Sequence, residues 1–583
     1  MAKQRLTLEQ ALDQVIGLHD TGQLQQSLRL ARQITAAFSN AALAHNVHAV
    51  AASACDRHEE AVRASQTAIR LDPDMADAHF NLGNALDQMG KPAEAAGSFT
   101  AALRLQPGDR DARFNLALAL QKIDEHQRAI DEFETLLGKE PDNFELLVGL
   151  AISLSAIGKA NRAIQTAEHA RSLNPVREEA YILLLDLFQR AQDKARLHEV
   201  LEHADAHLAP DNPYVALAKG RLSFNQQNHH ETINILKRSS ADTGMKEAHQ
   251  AARSFLLGKA YDKIGSIDEA FAAFEQANTF AQKTARARFV DKTLYPGRLG
   301  KLKTLFTAEW VSSWVSPEAL SPCPKLVFLV GFPRSGTTLL DTILRSHSQI
   351  EVFEETLAVR HTRRKLREMA GDDLDGLAGL VSGQLDLLRQ TYLKELTGYD
   401  EILNPNMILV DKLPLNMSEA GLIHRLFPEA GFLMALRHPC DCVLSCFMQD
   451  FWLNSAMANY TTLREAAELY DRVFSLWQQY RSILPIQVHE LRYEDLVDSF
   501  DETLLPLLSY LGVEWEDSLH DYAATAKNRE LINTPSYNQV VQPIYKSSSG
   551  RWQRYEKHMK PVLPTLLPWA KHHGYASNDK AGT

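Results

Sequence analysis

The stretch that decides the fold is Lys325-Leu-Val-Phe-Leu-Val-Gly-Phe-Pro-Arg-Ser-Gly-Thr-Thr338. Its apolar part, residues 326–330, is too short for a helix and rich in β-branched residues, so it predicts a buried strand. A loop bounded by glycines follows, and residues 339–344 then carry apolar side chains at helical spacing. A strand, a glycine loop and a helix in this order point backbone N–H groups and the positive helix end at a phosphate group.

The loop matches only half of the pattern that binds nucleoside triphosphates. That pattern reads G-x-x-x-x-G-K-[ST], and Gly331 and Gly336 fit its glycines, but Thr337 stands where the phosphate-binding lysine is needed. The loop carries its cation at Arg334 instead, and it ends in two hydroxyls, those of Thr337 and Thr338. These residues indicate a site for one 5′-phosphate that bears a further group, and they disfavour a P-loop kinase.

Length and charge bound the class of protein. With 583 residues the chain is long enough for several domains. Its composition is globular, with 45% hydrophobic and 23% charged residues. The net charge of −11 argues against general binding to nucleic acid or to an anionic membrane, because both require a basic surface.

The cysteines bear on location and on metals. The chain shows no signal peptide and no apolar run near the ~18 residues needed to span a bilayer, and its five cysteines fit a reducing compartment, so the cytoplasm is expected. Cys440, Cys442 and Cys446 lack a fourth ligand at zinc-like spacing, which predicts buried helix cysteines and no metal site.

The N-terminal half is a repeat array. Prolines recur every 34 residues, at Pro73, Pro107, Pro141 and Pro175. Leucine, alanine and phenylalanine keep the same step, and residues 257–277 repeat the internal offsets of residues 82–102. The pattern resembles the tetratricopeptide repeat, in which small residues let two helices approach and a phenylalanine fills the gap to the next repeat. The resemblance implies a concave face that holds a peptide or protein, although a purely structural or dimerising array is the alternative.

The pattern changes near residue 300 to strands that alternate with helices, which predicts a parallel sheet. The predicted strands comprise residues 326–330, 407–410, 432–436 and 486–491. Ligands of such sheets bind beyond the carboxyl ends of the strands, where Lys412, Arg437 and Tyr493 stand. The fold class is therefore an all-α tetratricopeptide solenoid followed by a P-loop-like, three-layer α/β domain with a mainly parallel sheet. The expected domains are residues 1–298 and 299–576, followed by a flexible tail, 577–583.

The C-terminal motifs together resemble the sulfotransferase family. They are Pro333-Arg-Ser-Gly-Thr-Thr338, Arg437 with Ser445 eight residues on, Tyr493-Glu-Asp-Leu496 and Gly550-Arg-Trp552. Members of that family transfer a sulfuryl group from 3′-phosphoadenosine-5′-phosphosulfate (PAPS), and no metal is required. The resemblance implies that the loop binds the 5′-phosphosulfate and that Arg437 and Ser445 bind the 3′-phosphate. The implied PAPS-binding residues are Arg334, Ser335, Gly336, Thr337, Thr338, Arg437, Ser445, Tyr493, Ser536 and Arg551.

Within the family, the run from Pro333 to His347 and then Glu354-Glu-Thr356 resembles protein-tyrosine sulfotransferases. This likeness implies three catalytic residues: Glu355 as the general base, Lys412 on the bridging oxygen, and Arg334. Small-molecule sulfotransferases place a histidine just after that lysine, whereas Leu413 and Pro414 stand here. The chain departs from tyrosine sulfotransferases at Gln449, where they carry a second arginine.

Several alternatives stay open at this point. Glu354 could be the base in place of Glu355. The expected acceptor is a tyrosine in a protein or peptide recruited by the repeat array, but a carbohydrate or a small metabolite is the alternative. A different class of function is a scaffold whose nucleotide-binding domain is degenerate. An oligomer is compatible with the sequence.

Overall fold

The computed structural model describes residues 7–191, 193–209, 211–238, 245–284, 287–318, 320–371, 374–398, 407–523 and 549–575. Contacts group them into two compact units, Met1–Leu222 with Ile235–Thr243 and Ser223–Asn234 with Gly244–Thr583. The last repeat helices thus share a unit with the α/β part, whereas the predicted domain boundary, which remains a prediction, lies after residue 298.

The repeat array consists of antiparallel helix pairs whose interfaces are lined by alanine. Side-chain oxygens of Asp109 and Asn143 cap two of the helices by accepting hydrogen bonds from backbone N–H groups of the first turn. The helices are Leu8–Asp20, Leu24–Ala37, Ala42–Ala54, His58–Leu71, Ala76–Gln88, Pro92–Leu105, Arg110–Lys122, His126–Leu137, Phe144–Ala156, Ala160–Leu173, Glu178–Arg190, Lys194–His207, Pro213–Asn225 and His229–Arg238.

Glycine and phenylalanine set the spacing of these helices. A Cβ added at Gly83 would lie 2.6 Å from the Phe99 ring, and one at Gly149 would lie 2.5 Å from the ring of Phe133 in the preceding repeat. Both rings are buried. The phenylalanines therefore fill the space that the glycines leave, as the repeat pattern predicts.

The long segment of the second unit, from Gly244 onward, starts with a helix pair, Glu247–Lys263 and Ile267–Lys283, called here the last repeat pair. It repeats the same device, because a Cβ at Gly258 would lie 2.7 Å from the Phe274 ring. The other α-helices among the described residues after this pair are Leu294–Leu305, Ala308–Ser312, Thr337–Leu344, Ala358–Ala370, Ser382–Thr397, Ala420–Leu426, Pro439–Phe447, Leu463–Ile483, Tyr493–Asp498, Phe500–Leu511, Glu556–Met559 and Leu563–His572.

A five-stranded parallel sheet forms the centre of this unit. Its strands are β1 (Leu326–Gly331), β2 (Ile350–Glu354), β3 (Ile408–Lys412), β4 (Gly431–Leu436) and β5 (Gln487–Arg492), in the order β2-β3-β1-β4-β5. The predicted parallel sheet is confirmed, and β2 is the strand that the sequence pattern does not predict. Because β1 lies between β3 and β4, the loop that follows it opens at the middle of the carboxyl edge.

Helices cover both faces of the sheet. Phe328 of β1 packs on one face, where its ring contacts that of Phe432, which in turn meets the buried Trp477. Val327 and Leu329, which point the other way, belong to a second apolar cluster. Every residue of β1 is buried as a result. Within the described residues, no helix is both long and apolar enough to cross a membrane.

Candidate functional site

The loop after β1, residues 331–336, is called the glycine loop. It leads into the helix Thr337–Leu344, whose N-cap is Gly336 in the left-handed region with φ 101°. A Cβ at Gly336 would lie 2.8 Å from Cδ2 of Tyr493, so both the backbone conformation and the close approach favour glycine. Ser335, Thr337 and Thr338 are buried at the start of this helix, where N–H groups without helical partners are available to an anion.

Arg334 joins the glycine loop to the neighbouring strand end. It adopts a left-handed φ of 71°, which is uncommon for a residue with a side chain and marks a constrained site. Its Nε donates a hydrogen bond to Oγ of Ser445 at 3.1 Å, and its carbonyl accepts one from Nη1 of Arg437 at 3.2 Å. The residues predicted to bind the 5′ and 3′ ends of one nucleotide are therefore in direct contact.

Arg437 follows β4 and precedes the helix Pro439–Phe447, which carries Ser445. The guanidinium of Arg437 is largely buried and lies 5.0 Å from the centre of the Tyr493 ring, at the start of the helix after β5. Strand ends β1, β4 and β5 thus bring together Arg334, Arg437 and Tyr493, as the sequence predicts. Two arginines and several hydroxyls at one edge of the sheet are the kind of hydrogen-bond donors that an anion requires.

Lys412 forms a second cluster on the other side of β1. It is the last residue of β3 and the register partner of Glu354, the last residue of β2. Its Nζ lies 2.7 Å from Oε1 of Glu354, 3.4 Å from Oε1 of Glu355 and 4.0 Å from Oδ2 of Asp341. Lys412 and Asp341 are fully buried, so one ammonium stands among three carboxylates in a poorly solvated place.

The two adjacent glutamates differ in exposure. The side chain of Glu354 is 10% exposed, whereas that of Glu355 is 44% exposed. Glu355 has a left-handed φ of 51°, and its N–H donates to the carbonyl of Lys412 at 2.8 Å. Its turn thus directs the carboxylate of Glu355 outward. Partial burial raises the pKa of Glu355, an effect that Lys412 opposes and Glu354 reinforces.

Asp411, just before Lys412, is a buried carboxylate that the sequence pattern leaves without a role. Its Oδ2 accepts hydrogen bonds from the Tyr392 hydroxyl at 2.7 Å and from Nδ2 of Asn416 at 3.3 Å. Burial raises the pKa of Asp411 to about 7, although the hydrogen bond from Tyr392 and the charge of Lys412 act in the opposite direction. The group therefore titrates near neutral pH.

The motif Gly550-Arg-Trp552 lies against the helix that follows Arg437. Both carboxylate oxygens of Asp441, in the first turn of that helix, accept backbone hydrogen bonds, from the N–H of Gly550 and from that of Trp552, each at 2.8 Å. The Trp552 ring stacks on that of His438, with 5.2 Å between centres. Arg551, between these anchors, directs its side chain to Asp262 of the last repeat pair at 2.9 Å. Ser536 lies outside the described residues.

Cys440, Cys442 and Cys446 are buried in the helix Pro439–Phe447, and Sγ of Cys446 contacts the carbonyl of Pro333 in the glycine loop. Within the described residues, no group of three histidine, cysteine, aspartate or glutamate side chains is arranged to hold a metal ion.

Two kinds of family model match the chain. The sulfotransferase family model matches residues 324–517, and tetratricopeptide repeat models match residues 48–109, 80–144 and 253–284. The last of these ranges contains most of the last repeat pair. The C-terminal part of the chain thus carries a sulfotransferase-family domain, and the N-terminal part carries tetratricopeptide repeats.

Individual relatives are distant. An uncharacterized protein of Aquifex aeolicus is 26% identical over 58% of this chain and 44% of its own length. Protein-tyrosine sulfotransferase 2 of Gallus gallus is 28% identical over 39% of this chain and 62% of its own length. Nodulation protein NoeE of Sinorhizobium fredii is 29% identical over 33% of this chain and 52% of its own length. The chain thus spans about half the length of these curated relatives.

Among solved structures, the tetratricopeptide repeat protein YrrB, described as having an unusual peptide-binding site, aligns with 32% of this chain and 97% of its own. Its sequence identity is 19% and the TM-score is 0.30.

Proposed function

We propose that this protein is a sulfotransferase that moves a sulfuryl group from PAPS to the hydroxyl of a tyrosine in a protein or peptide. The observation that carries the proposal is Lys412, held between Glu354 and Glu355 one strand away from the glycine loop. A base, a cation for the leaving oxygen and an anion-binding loop at one sheet edge are the parts that this transfer needs. The proposal assigns repeats to residues 1–298 and catalysis to residues 299–576.

The donor fits the anion site by its charges. PAPS carries a 5′-phosphosulfate and a separate 3′-phosphate, and the site offers the N-terminus of the helix Thr337–Leu344 beside Arg334, Arg437 and Ser445. We assign the glycine loop, with Ser335, Thr337 and Thr338, to the 5′ group and Arg437 with Ser445 to the 3′-phosphate. Tyr493, which flanks Arg437, contacts the nucleotide in this assignment, as do Ser536 and Arg551.

The transfer proceeds in line. The acceptor oxygen forms a bond to sulfur while the bond between sulfur and the bridging oxygen of the phosphosulfate breaks, leaving 3′-phosphoadenosine-5′-phosphate (PAP). Glu355 takes the proton of the acceptor hydroxyl, a role that its exposed carboxylate suits better than the enclosed one of Glu354. Lys412 donates to the bridging oxygen, and Arg334 and the loop N–H groups stabilise the charge that grows on the phosphate.

The acceptor is the finer part of the proposal. Tyrosine is supported by the name of the Gallus gallus relative and by Leu413 and Pro414, which occupy the place of a small-molecule sulfotransferase histidine. The repeats favour a protein partner, because such arrays form extended binding surfaces.

The five cysteines are all free, which supports our placement of the protein in the cytoplasm.

Calorimetric titration of PAP into the purified chain tests the donor site, with the Arg334→Ala variant and ATP as controls. We expect PAP to bind, the variant to lose most of that affinity and ATP to bind weakly. Folded protein that ignores PAP would refute a sulfotransferase and favour a scaffold. Transfer of radioactive sulfate from PAPS to tyrosine peptides, compared with matched phenylalanine peptides and with oligosaccharides, then identifies the acceptor.

A further inference from the structure

We infer that Asp262, on the last repeat pair, is a positioning residue of the nucleotide site that acts by holding the side chain of Arg551. The inference rests on the proposed function, because it takes Arg551 as a contact of the PAPS phosphates. In this inference the last repeat pair contributes to binding of PAPS, and this contribution is separate from any recruitment of a protein partner by the repeat array.

Asp262 is nearly enclosed by the C-terminal segment, residues 549–559. Its carboxylate accepts hydrogen bonds from Nη2 of Arg551 at 2.9 Å, Nη2 of Arg554 at 3.1 Å and the hydroxyl of Tyr555 at 2.8 Å. Only 6% of Asp262 is exposed, and Tyr555 is fully buried. Hydrogen bonds between charged groups in such a setting are stronger than neutral ones and fix side-chain direction.

The backbone and the side chain of Arg551 are held by different parts of the unit. Asp441 binds the backbone on both sides of Arg551, through Gly550 and Trp552, next to the helix that starts after Arg437. The Arg551 side chain makes a single hydrogen bond to the described residues, and its acceptor is Asp262. Asp441 therefore sets where Arg551 is placed, and Asp262 sets where its guanidinium points.

The position of Asp262 has an equivalent in the repeat array. The offset of 175 residues that relates Gly83 to Gly258 also relates Asp87 to Asp262. Asp87 binds Nζ of Lys122 in the following repeat, at 2.7 Å. At the end of the array, the same position binds the C-terminal segment in place of a further repeat.

Arg551 keeps donors for an anion while it is bound to Asp262. Its hydrogen bond to Asp262 is made by Nη2. A phosphate can therefore approach Arg551 without displacing Asp262, because a guanidinium carries five N–H donors.

Other contacts keep the last repeat pair in place if Asp262 is changed. The Phe271 ring stacks on that of His558 with 4.0 Å between centres, and Nδ2 of Asn278 donates to the carbonyl of Phe447. Asp268 binds Lys557 and His558 of the same C-terminal segment. Asp268 is thus a matched control, since it is an acid of the same repeat that pairs with the same segment but does not touch Arg551.

The experiment measures PAP affinity by calorimetry for the wild type and for Asp262→Asn, Asp262→Glu and Asp268→Asn. We expect Asp262→Asn to weaken PAP binding about tenfold, which is the order of one charged hydrogen bond. Asp262→Glu should recover most of the affinity, and Asp268→Asn should match the wild type. Thermal unfolding checks that each variant is folded.

A double-variant cycle separates positioning from a general structural role. If Asp262 acts through Arg551, Asp262→Asn causes no further loss of PAP affinity in an Arg551→Ala background. An equal loss in both backgrounds, wild-type affinity in Asp262→Asn, or tighter binding would each overturn the inference. Wild-type protein that does not bind PAP would instead overturn the proposed function, and this inference with it.

A second variant covers the case in which Asp262→Asn does not fold. Arg554→Gln removes the competing guanidinium and leaves the pair of Asp262 and Arg551 intact, so PAP affinity should stay within about twofold of the wild type. A loss as large as that of Arg551→Ala would show that Asp262 acts through Arg554, and the inference would be wrong.

Discussion

Glu354 and Lys412 are register partners at the ends of neighbouring strands, and their side chains form an ion pair of 2.7 Å. The pairing of β2 with β3 alone brings these two side chains together at the edge of the sheet, so the ion pair does not require a substrate. It fixes the ammonium of Lys412 beside Glu355, whose carboxylate projects outward. The neighbouring positions 354 and 355 thus supply one structural and one accessible carboxylate.

Glu355→Gln should abolish most of the activity and spare donor binding. We expect turnover to fall roughly 10²- to 10⁴-fold, because the acceptor proton loses its base, while PAP affinity stays near that of the wild type. Sulfate transfer and calorimetry measure the two quantities. The matched control is Glu351→Gln, which changes an exposed glutamate on the strand that ends just before Glu355, and it should be neutral. A Glu355→Gln enzyme with normal turnover would shift the role to Glu354.

The acid side of the rate profile should report the same group. Burial raises the pKa of Glu355 above its ordinary value, so we expect activity to be lost as the pH falls through that raised pKa, because the protonated carboxyl cannot accept a proton. The residual activity of Glu355→Gln should lack this acidic limb. The measurement is kcat as a function of pH at saturating PAPS, and an unchanged limb in the variant would contradict the assignment.

Lys412→Ala should separate turnover from binding. We expect turnover to drop about 10²- to 10³-fold with a much smaller change in PAP affinity, because the ammonium stabilises charge that develops on the bridging oxygen. Removing a buried cation from three carboxylates should also lower the free energy of unfolding by about 3–5 kcal/mol. Denaturant titration checks the second effect. Proportional losses of turnover and affinity would make Lys412 a binding residue.

Gly336→Ala should damage the glycine loop. The added Cβ meets Tyr493 at 2.8 Å and occupies a backbone conformation with φ 101°, so either the loop or the ring must move. We expect at least a tenfold loss of PAP affinity and a lower Tm. Gly383→Ala is the control, since nothing lies within 4 Å of its Cβ and it stands in a helix, where alanine is favoured. Normal PAP binding by Gly336→Ala would place the donor elsewhere.

Asp411 should make stability depend on pH near neutrality. Its pKa is raised to about 7 in the folded protein from 3.8, so the protonated form is favoured by folding. This contribution to stability is present at low pH and is lost as the pH rises from about 4 through 7. Asp411→Asn should therefore show a smaller fall in unfolding free energy between pH 5 and pH 8 than the wild type. Parallel profiles from denaturant titration would refute the shift.

The sequence predicts the parts that are local. β1, the glycine loop and the helix after it form one stretch of chain. Arg437 and Ser445 lie only eight residues apart, just before and within the helix Pro439–Phe447, so short sequence patterns are enough to find them. The 34-residue step likewise predicts the repeats, because each repeat contacts its neighbours.

What the sequence does not predict depends on distant contacts. β2 has only five residues, and two of them are glutamates: Glu351, which is exposed, and Glu354, which pairs with Lys412. It therefore contains no apolar run that would predict a strand, and its pairing with β3 is what makes it one. The contact of Asp262 with Arg551 joins residues 289 apart, beyond any local pattern. The 34-residue step also carries no mark of where one compact unit ends, and the last repeat pair belongs with the sheet.

The grouping of the last repeat pair with the sheet bears on how proteins of this architecture diversify in evolution. Upstream repeats can be gained or lost in whole steps, since each is bounded by neighbours of its own kind. The final pair cannot be exchanged in this way, because Asp262, Asp268 and Phe271 are fitted to one particular C-terminal segment. We expect proteins of this architecture to differ in the number of upstream repeats, whereas the last repeat pair and the sulfotransferase-family domain are inherited together.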